Sequence, residues 1–263
     1  MYKMIEQLKN IWQRRELLHY IVKFQMKAEN KNKVLGFVWS FLDPLLLCLT
    51  YIVLVHYIFG RGGPQFPILL FIALISWRWF ASSLNRSVTS ITSKVMLIQS
   101  VRFPLAILPL SGIIIGFFDW LFGFVILVPM LFIFEASFTV NVLWLPVLLL
   151  IEFIGIVGAC LIFAVVGTYL ADLGNIIRFV IRLCFYLSPI LWAVEEGRIP
   201  ERLHTLYMLC NPFAGLLESY KNVLIRGMPP SEYAIVGTVV ACVAFLIGLW
   251  YFSRNEYRLV KVI

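Results

Sequence analysis

RFVIRLCFYLSPILWAVEEGRIPERLHTLYMLCNPFAGLLESYKNVLIRG, Arg178 to Gly227, departs from the membrane pattern that the rest of the chain obeys. Residues 176–194 form a span-length apolar run, with Arg178 and Arg182 near one end and Phe185, Tyr186 and Trp192 near the other. The residues that follow are still half apolar but are divided into pieces too short to cross a bilayer. Pro200 opens one predicted helix, with Leu203, Leu206, Tyr207 and Cys210 at helical spacing. Asn211 and Pro212 supply an N-cap and first turn for a second, with Phe213, Leu216, Leu217, Tyr220 and Leu224 on one stripe and Gly227 to end it. Such a pair either lies on the membrane face as an ordinary extracytoplasmic loop or dips inward as a hairpin packed against other spans.

Working outward, the composition sets the solvent. The 263 residues are 61% hydrophobic and 14% charged. Soluble domains sit near a quarter charged, so this is the composition of an integral membrane protein without a soluble domain of its own. The Lys-rich N-terminus, with no small-residue cleavage site after the first apolar run, predicts no cleavable signal peptide. Cys48, Cys160, Cys184, Cys210 and Cys242 have no CxxC spacing and read as small core residues. His19, His56 and His204 share no motif, and no metal site is predicted.

Six apolar runs are expected to span, at 34–59, 66–84, 104–134, 141–171, 176–194 and 233–252. Before them, Met1 to Gln13 is an amphipathic helix with Trp12 at headgroup depth, and the stretch to Lys33 is a basic collar or a mobile gate. Residues 195–232 hold the extracytoplasmic or re-entrant helices, and 253–263 are a tail. Sixteen Lys and Arg fall in residues 1–33, the 85–103 loop, the start of the fifth run and the tail, whereas Arg61, Arg198, Arg202, Lys221 and Arg226 fall on the other side and Arg78 lies inside a run. By the positive-inside rule both termini are cytosolic, and the net charge of +8 reports topology, not a nucleic-acid partner.

In the cytosolic loop Asn85–Phe103, Ile91, Val95 and Ile98 stand at i, i+4, i+7 around Lys94 and predict one short amphipathic helix. It either rests on lipid or fills a groove on a soluble partner. No intramembrane catalytic motif and no GxxxxGK[ST] occurs. Asp119 and Glu152 fall in spans; a proton site and structural hydrogen bonding to a neighbouring span are both open to them. Arg178 and Arg182 project from one helix face a turn apart, as positive-inside anchors or as a bidentate clamp for a diphosphate, with Phe185, Tyr186 and Trp192 offering flat faces beyond them.

Four blocks then carry a resemblance: KNKVLGFVWSFLDPLLL (Lys31–Leu47), SVRFPLAILPLS (Ser100–Ser111), FYLSPILW (Phe185–Trp192) and NPF (Asn211–Phe213). Together and in this order they resemble the ABC-2 permease subunits that export polysaccharides and polyol phosphates, the class of O-antigen, capsule and wall teichoic acid exporters; the wording is most similar to the teichoic acid translocation permeases of Gram-positive bacteria. The resemblance implies an all-α, six-span homodimer in the bacterial cytoplasmic membrane. Each subunit would dock on a soluble ATPase that supplies ATP and Mg, this chain holding no cofactor. The cargo implied is a polyprenyl-diphosphate-linked polymer, most of all teichoic acid, with O-antigen or capsular polysaccharide as the alternative. Trp39 in the first block joins Arg178, Arg182, Phe185, Tyr186 and Trp192 as a substrate-path candidate, and Ile91, Lys94, Val95 and Ile98 are candidates for ATPase coupling. An intramembrane enzyme acting on a lipid-linked sugar is the contrasting expectation.

Overall fold

The computed structural model describes residues 12–31, 35–36, 38–60, 62–101, 103–192 and 200–262. Most of the expected Met1–Gln13 helix, with Arg61, Arg102 and Arg198, lies outside them. Among the described residues there is no strand. The helices are α1 (Arg15–Asn30), α2 (Val38–Ile52, continued by a π turn Val53–Ile58), α3 (Phe66–Val88), α4 (Val95–Ser100, after a 3-10 turn Thr92–Lys94) and α5 (Ile107–Ile133). After them come α6 (Leu145–Tyr169, preceded by a 3-10 turn Val140–Trp144), α7 (Leu173–Leu187), α8 (Glu201–Cys210), α9 (Pro212–Lys221, continued by a π turn Asn222–Arg226) and α10 (Ala234–Val262).

Five helices, Val38–Ile58, Phe66–Val88, Ile107–Ile133, Val140–Tyr169 and Ala234–Lys261, are long and apolar enough to cross a bilayer. This is a membrane protein. The expected fifth span is built differently. Its apolar run yields only the 15-residue α7, roughly 22 Å at 1.5 Å per residue against a hydrocarbon thickness of about 30 Å. The stop comes at Ser188, whose φ of −91° and ψ of 154° are the extended backbone that a following proline imposes. Apolarity ran on past Pro189 to Trp192, and a hydropathy reading merges the two.

Hydrogen bonds define the two ends of the bundle. At one end, the turn between α5 and α6 meets the end of the hairpin: Ser137 N–H donates to Ile225 O at 3.0 Å, and Asn141 Nδ2 donates to Gly227 O at 2.7 Å. At the other, Leu105 N–H donates to Glu256 Oε1 at 2.8 Å, tying the start of α5 to the end of α10. Gly167 near the end of α6 abuts the Val88 carbonyl. Between Tyr169 and Ala234 the chain therefore passes from one end to the other, and α7 with the hairpin makes that passage.

α3 is the hub, with 67% of its apolar window buried against 17% for α2 and 22% for α10. It packs on α2, α5, α6, α7 and α9, and its Trp79 indole N–H donates to Ile113 O of α5 at 3.2 Å. α6 and α10 approach through small residues: a methyl group on Gly158 would stand 2.3 Å from the Ala244 carbonyl carbon, and one on Gly248 would stand 2.4 Å from Gly158 O. In lipid, where apolar burial between helices contributes little, such backbone proximity supplies the packing.

The hairpin packs inward. Every residue from Ala214 to Lys221 is buried, and α9 lies against α10, α3 and α6. Asn211 caps it, its side chain accepting from Phe213 N–H at 3.1 Å, and Gly227 ends it at φ 65°, both as the sequence signals predict. Phe213 meets Phe80 at 4.6 Å and Trp77 at 5.1 Å between ring centroids, halfway along α3. In α8 the expected stripe is outward, with Leu203 and Leu206 exposed.

Candidate functional site

A cavity of about 460 Å³ opens between α1, α2, α3 and α5, and its walls are charged. Arg78 of α3 donates to Asp43 of α2 at 2.7 Å. Arg86, two turns further along α3, donates to Glu29 of α1 and to Asp119 of α5, each at 3.2 Å. Bare charge in a span costs several kcal/mol, so pairing across helices is what allows these residues to stay. The pairing is incomplete: three carboxylates face two guanidiniums, and Arg86 Nη1 is buried without a protein partner. Arg78 and Arg86 keep 31% and 27% of their side-chain surface exposed, and both line the groove. A guanidinium held by carboxylates in this way can exchange one for a phosphate oxygen at similar geometry.

Of the sequence-predicted residues, Trp39 lines this groove. Arg178 and Arg182 are both exposed on α7; Arg178 donates to Asn175 Oδ1, and neither lines the groove. Tyr186 is exposed beyond them, whereas Phe185 is buried at 6%. The expectation of an open face at Phe185 is corrected: its ring stacks on Tyr51 at 5.4 Å and meets Trp77 edge-on at 6.0 Å, because it falls on the side of α7 that packs on α3. Trp192 lies elsewhere, against Tyr207 at 5.4 Å, on a separate recess of about 410 Å³ that also holds Lys221.

The loop between α3 and α5 also differs from its expectation. Ile91 is fully buried and Ile98 packs against the same core. The spacing predicted one outward stripe of Ile91, Val95 and Ile98. A 3-10 turn at Thr92–Lys94 changes the rotation per residue, so the stripe turns inward and α4 presents Met96 instead, 87% exposed. Lys94 and Val95 are half-buried.

A second polar cluster lies deep in the bundle. Glu152 of α6, 4% exposed, accepts from Ser76 Oγ of α3 at 2.8 Å and from Tyr220 OH of α9 at 2.7 Å. Structural hydrogen bonding to neighbouring helices is thus the outcome for this carboxylate. Lys221, 1% exposed, donates to Pro189 O at 2.8 Å and pins the chain after α7 to the hairpin. Arg226 pairs with Glu218.

This bundle now has known relatives. The chain is similar, nearly end to end, to O-antigen export system permease proteins. Two RfbA permeases of Klebsiella pneumoniae are each 26% identical over 249 residues, covering 94% of this chain and 95% of theirs. The RfbA permease of Myxococcus xanthus is 27% identical over 247 residues, 92% of this chain and 93% of its own. No family model matches. These relatives uphold the resemblance to polysaccharide export permeases; their names carry O-antigen, and teichoic acid finds no support among them.

Sequence reasoning missed Asp43 as a charge within the first run, left Arg78 as a solitary cation in the second and gave Arg86 and Glu29 no role beyond topology. The available signal was that Asp43, Arg78 and Asp119 all fall in apolar runs. Their pairing needs the helix neighbours, and spacing along the chain does not supply those.

Proposed function

We propose that this chain is the permease subunit of an ATP-driven exporter that moves a lipid-linked surface polysaccharide, of O-antigen type, out across the cytoplasmic membrane. The observation that carries the proposal is similarity to export permeases across 94% of the chain, joined to a bundle with a charged groove between its helices. α7 and the hairpin complete a sixth passage, with the hairpin entering from the extracytoplasmic side and both termini in the cytosol. The weakly buried α2 and the arginine-bearing α7 face a second copy, and the α3–α5 loop with its exposed Met96 meets a separate ATPase. Teichoic acid is the alternative cargo.

The test is reconstitution of the full chain with its co-expressed ATPase in vesicles loaded with lipid-linked polymer, with export followed as ATP-dependent accessibility of the polymer. Turnover of a lipid-linked sugar without any ATPase would overturn the transporter reading in favour of an intramembrane enzyme. Complementation of two host strains, one lacking its O-antigen permease and one its teichoic acid permease, separates the cargoes. Reporter fusions at Ala136 and Thr92 should be extracytoplasmic and cytosolic respectively, and a cytosolic signal at Ala136 would overturn the topology.

A further inference from the structure

α1 carries two parallel stripes. Arg15, His19, Lys23, Lys27 and Lys31 recur at every fourth position, with Lys31 continuing the helical backbone at the C-cap (φ −60°, ψ −35°). The next stripe is Leu18, Val22 and Met26. Successive members of each stripe are neighbours about one turn apart, so the apolar stripe runs beside the basic one over the roughly 12 Å from Leu18 to Met26. Both line a single crevice of about 770 Å³, closed on its far side by Ile114 and Phe118 of α5. Among the described residues no carboxylate lines it. Glu29 and Asp119, at the neighbouring groove, are engaged by Arg86, Glu16 lies in the first turn of α1, and among the described residues none of the four Lys and Arg of the stripe forms an ion pair.

A solvated basic face has no need of an apolar crevice beside it, and an apolar crevice alone does not select charge. We infer that this crevice is a binding site for an anionic glycerophospholipid of the membrane. One acyl chain would lie between Leu18, Val22 and Met26 on α1 and Ile114 and Phe118 on α5, and the phosphate would sit on Lys23, Lys27 and Lys31. Charge complementarity chooses the occupant: a cation-rimmed apolar slot fits a molecule with a long tail and an anionic head, and a zwitterionic lipid would leave the rim unmatched. Tyr20 and Phe24, 66% and 72% exposed, do not line the crevice and suit a helix seated at headgroup depth. A lipid here would hold α1 against α5, beside the groove at Arg86. This site is separate from the proposed transport activity and does not depend on it.

The experiment uses the purified full chain, exchanged into mixed micelles with equal amounts of phosphatidylglycerol and phosphatidylcholine, with retained lipid counted by native mass spectrometry. Each cation beside an anionic headgroup strengthens association about fivefold, so the natural chain should retain phosphatidylglycerol preferentially, and Lys23→Gln/Lys27→Gln/Lys31→Gln should lower that retention by more than about tenfold. Arg254→Gln/Arg258→Gln/Lys261→Gln removes as many cations from the same end of the bundle and should leave retention unchanged. Ile114→Trp and Leu18→Trp fill the crevice from opposite walls without altering charge, and each should lower retention as the triple variant does; two variants keep the shape test independent of one protein's folding. Equal losses in the two triple variants, no loss in either tryptophan variant, or equal retention of the two lipids would each overturn the site. So would a lipid-linked diphosphate in place of phosphatidylglycerol in chain purified from a host that makes one.

Discussion

Two carboxylate sites in this bundle have opposite designs. Glu152 is enclosed, 4% exposed, and its two oxygens are met by neutral donors, Ser76 from α3 and Tyr220 from α9. Asp119 and Asp43 border an open groove, keep 33% and 60% of their side-chain surface exposed, and are met by arginines. Neutral hydroxyls around a closed carboxylate fix three helices relative to one another and leave nothing to offer a ligand. Arginines shared among carboxylates in a groove hold the helices less tightly but keep charge that a passing phosphate can use. The first site is therefore a structural pin for the hairpin, and the second is where export chemistry is expected.

The largest effect should come from breaking the pin. Glu152→Ala leaves two buried hydroxyls unmatched and opens a cavity, and should cost about 3 kcal/mol. Denaturant unfolding in detergent reads the loss, and protease sensitivity at the hairpin should rise with it. Glu152→Gln, which keeps an acceptor and the volume, should cost about 1 kcal/mol. A Glu152→Ala protein as stable as the natural chain would remove the distinction between the sites.

Next is the groove. Arg86→Gln should lower stability by only about 1 kcal/mol, since the residue is 27% exposed and solvent screens its pairs. Export in the reconstituted vesicles should nevertheless fall by more than about tenfold, the loss of one charged hydrogen bond to phosphate. Loss of stability matching that of Glu152→Ala, with export per folded protein intact, would make the groove a second pin.

Arg182 on α7 tests whether phosphate is handled outside the groove as well. Arg182→Lys should keep insertion and ATPase association while losing most export, by roughly tenfold, if a bidentate clamp operates there. Full export in that variant would leave Arg178 and Arg182 as membrane anchors and assign the charge to the groove alone. The smallest effect is expected at Asp43→Asn, less than about 0.5 kcal/mol, because its partner Arg78 stays hydrated and the carboxylate is 60% exposed. A larger loss would show the groove to be drier than its exposure indicates.

Much of the candidate site was legible as residues and illegible as a site. Trp39 was singled out and does line the groove, yet Asp43, four residues on, was passed over because one acid in an apolar run carries meaning only beside Arg78. Phe185 and Tyr186 looked alike in the aromatic cluster. Adjacent positions on a helix differ by about 100°, and the packing of α7 on α3 buries one and exposes the other.

The amino-acid sequence by itself determined the membrane class, the five long helices and the capped hairpin, because apolar run length, Pro, Asn and Gly act locally. Tertiary structure alone decided that the hairpin turns inward onto Glu152, that Ile91 is core, and that Arg86 joins α1 to α5. Each of these depends on which helices are neighbours. That choice is made by close contacts such as Gly158 against Ala244 and by ion pairs between residues far apart in the chain, interactions whose energy exists only once both partners are in place.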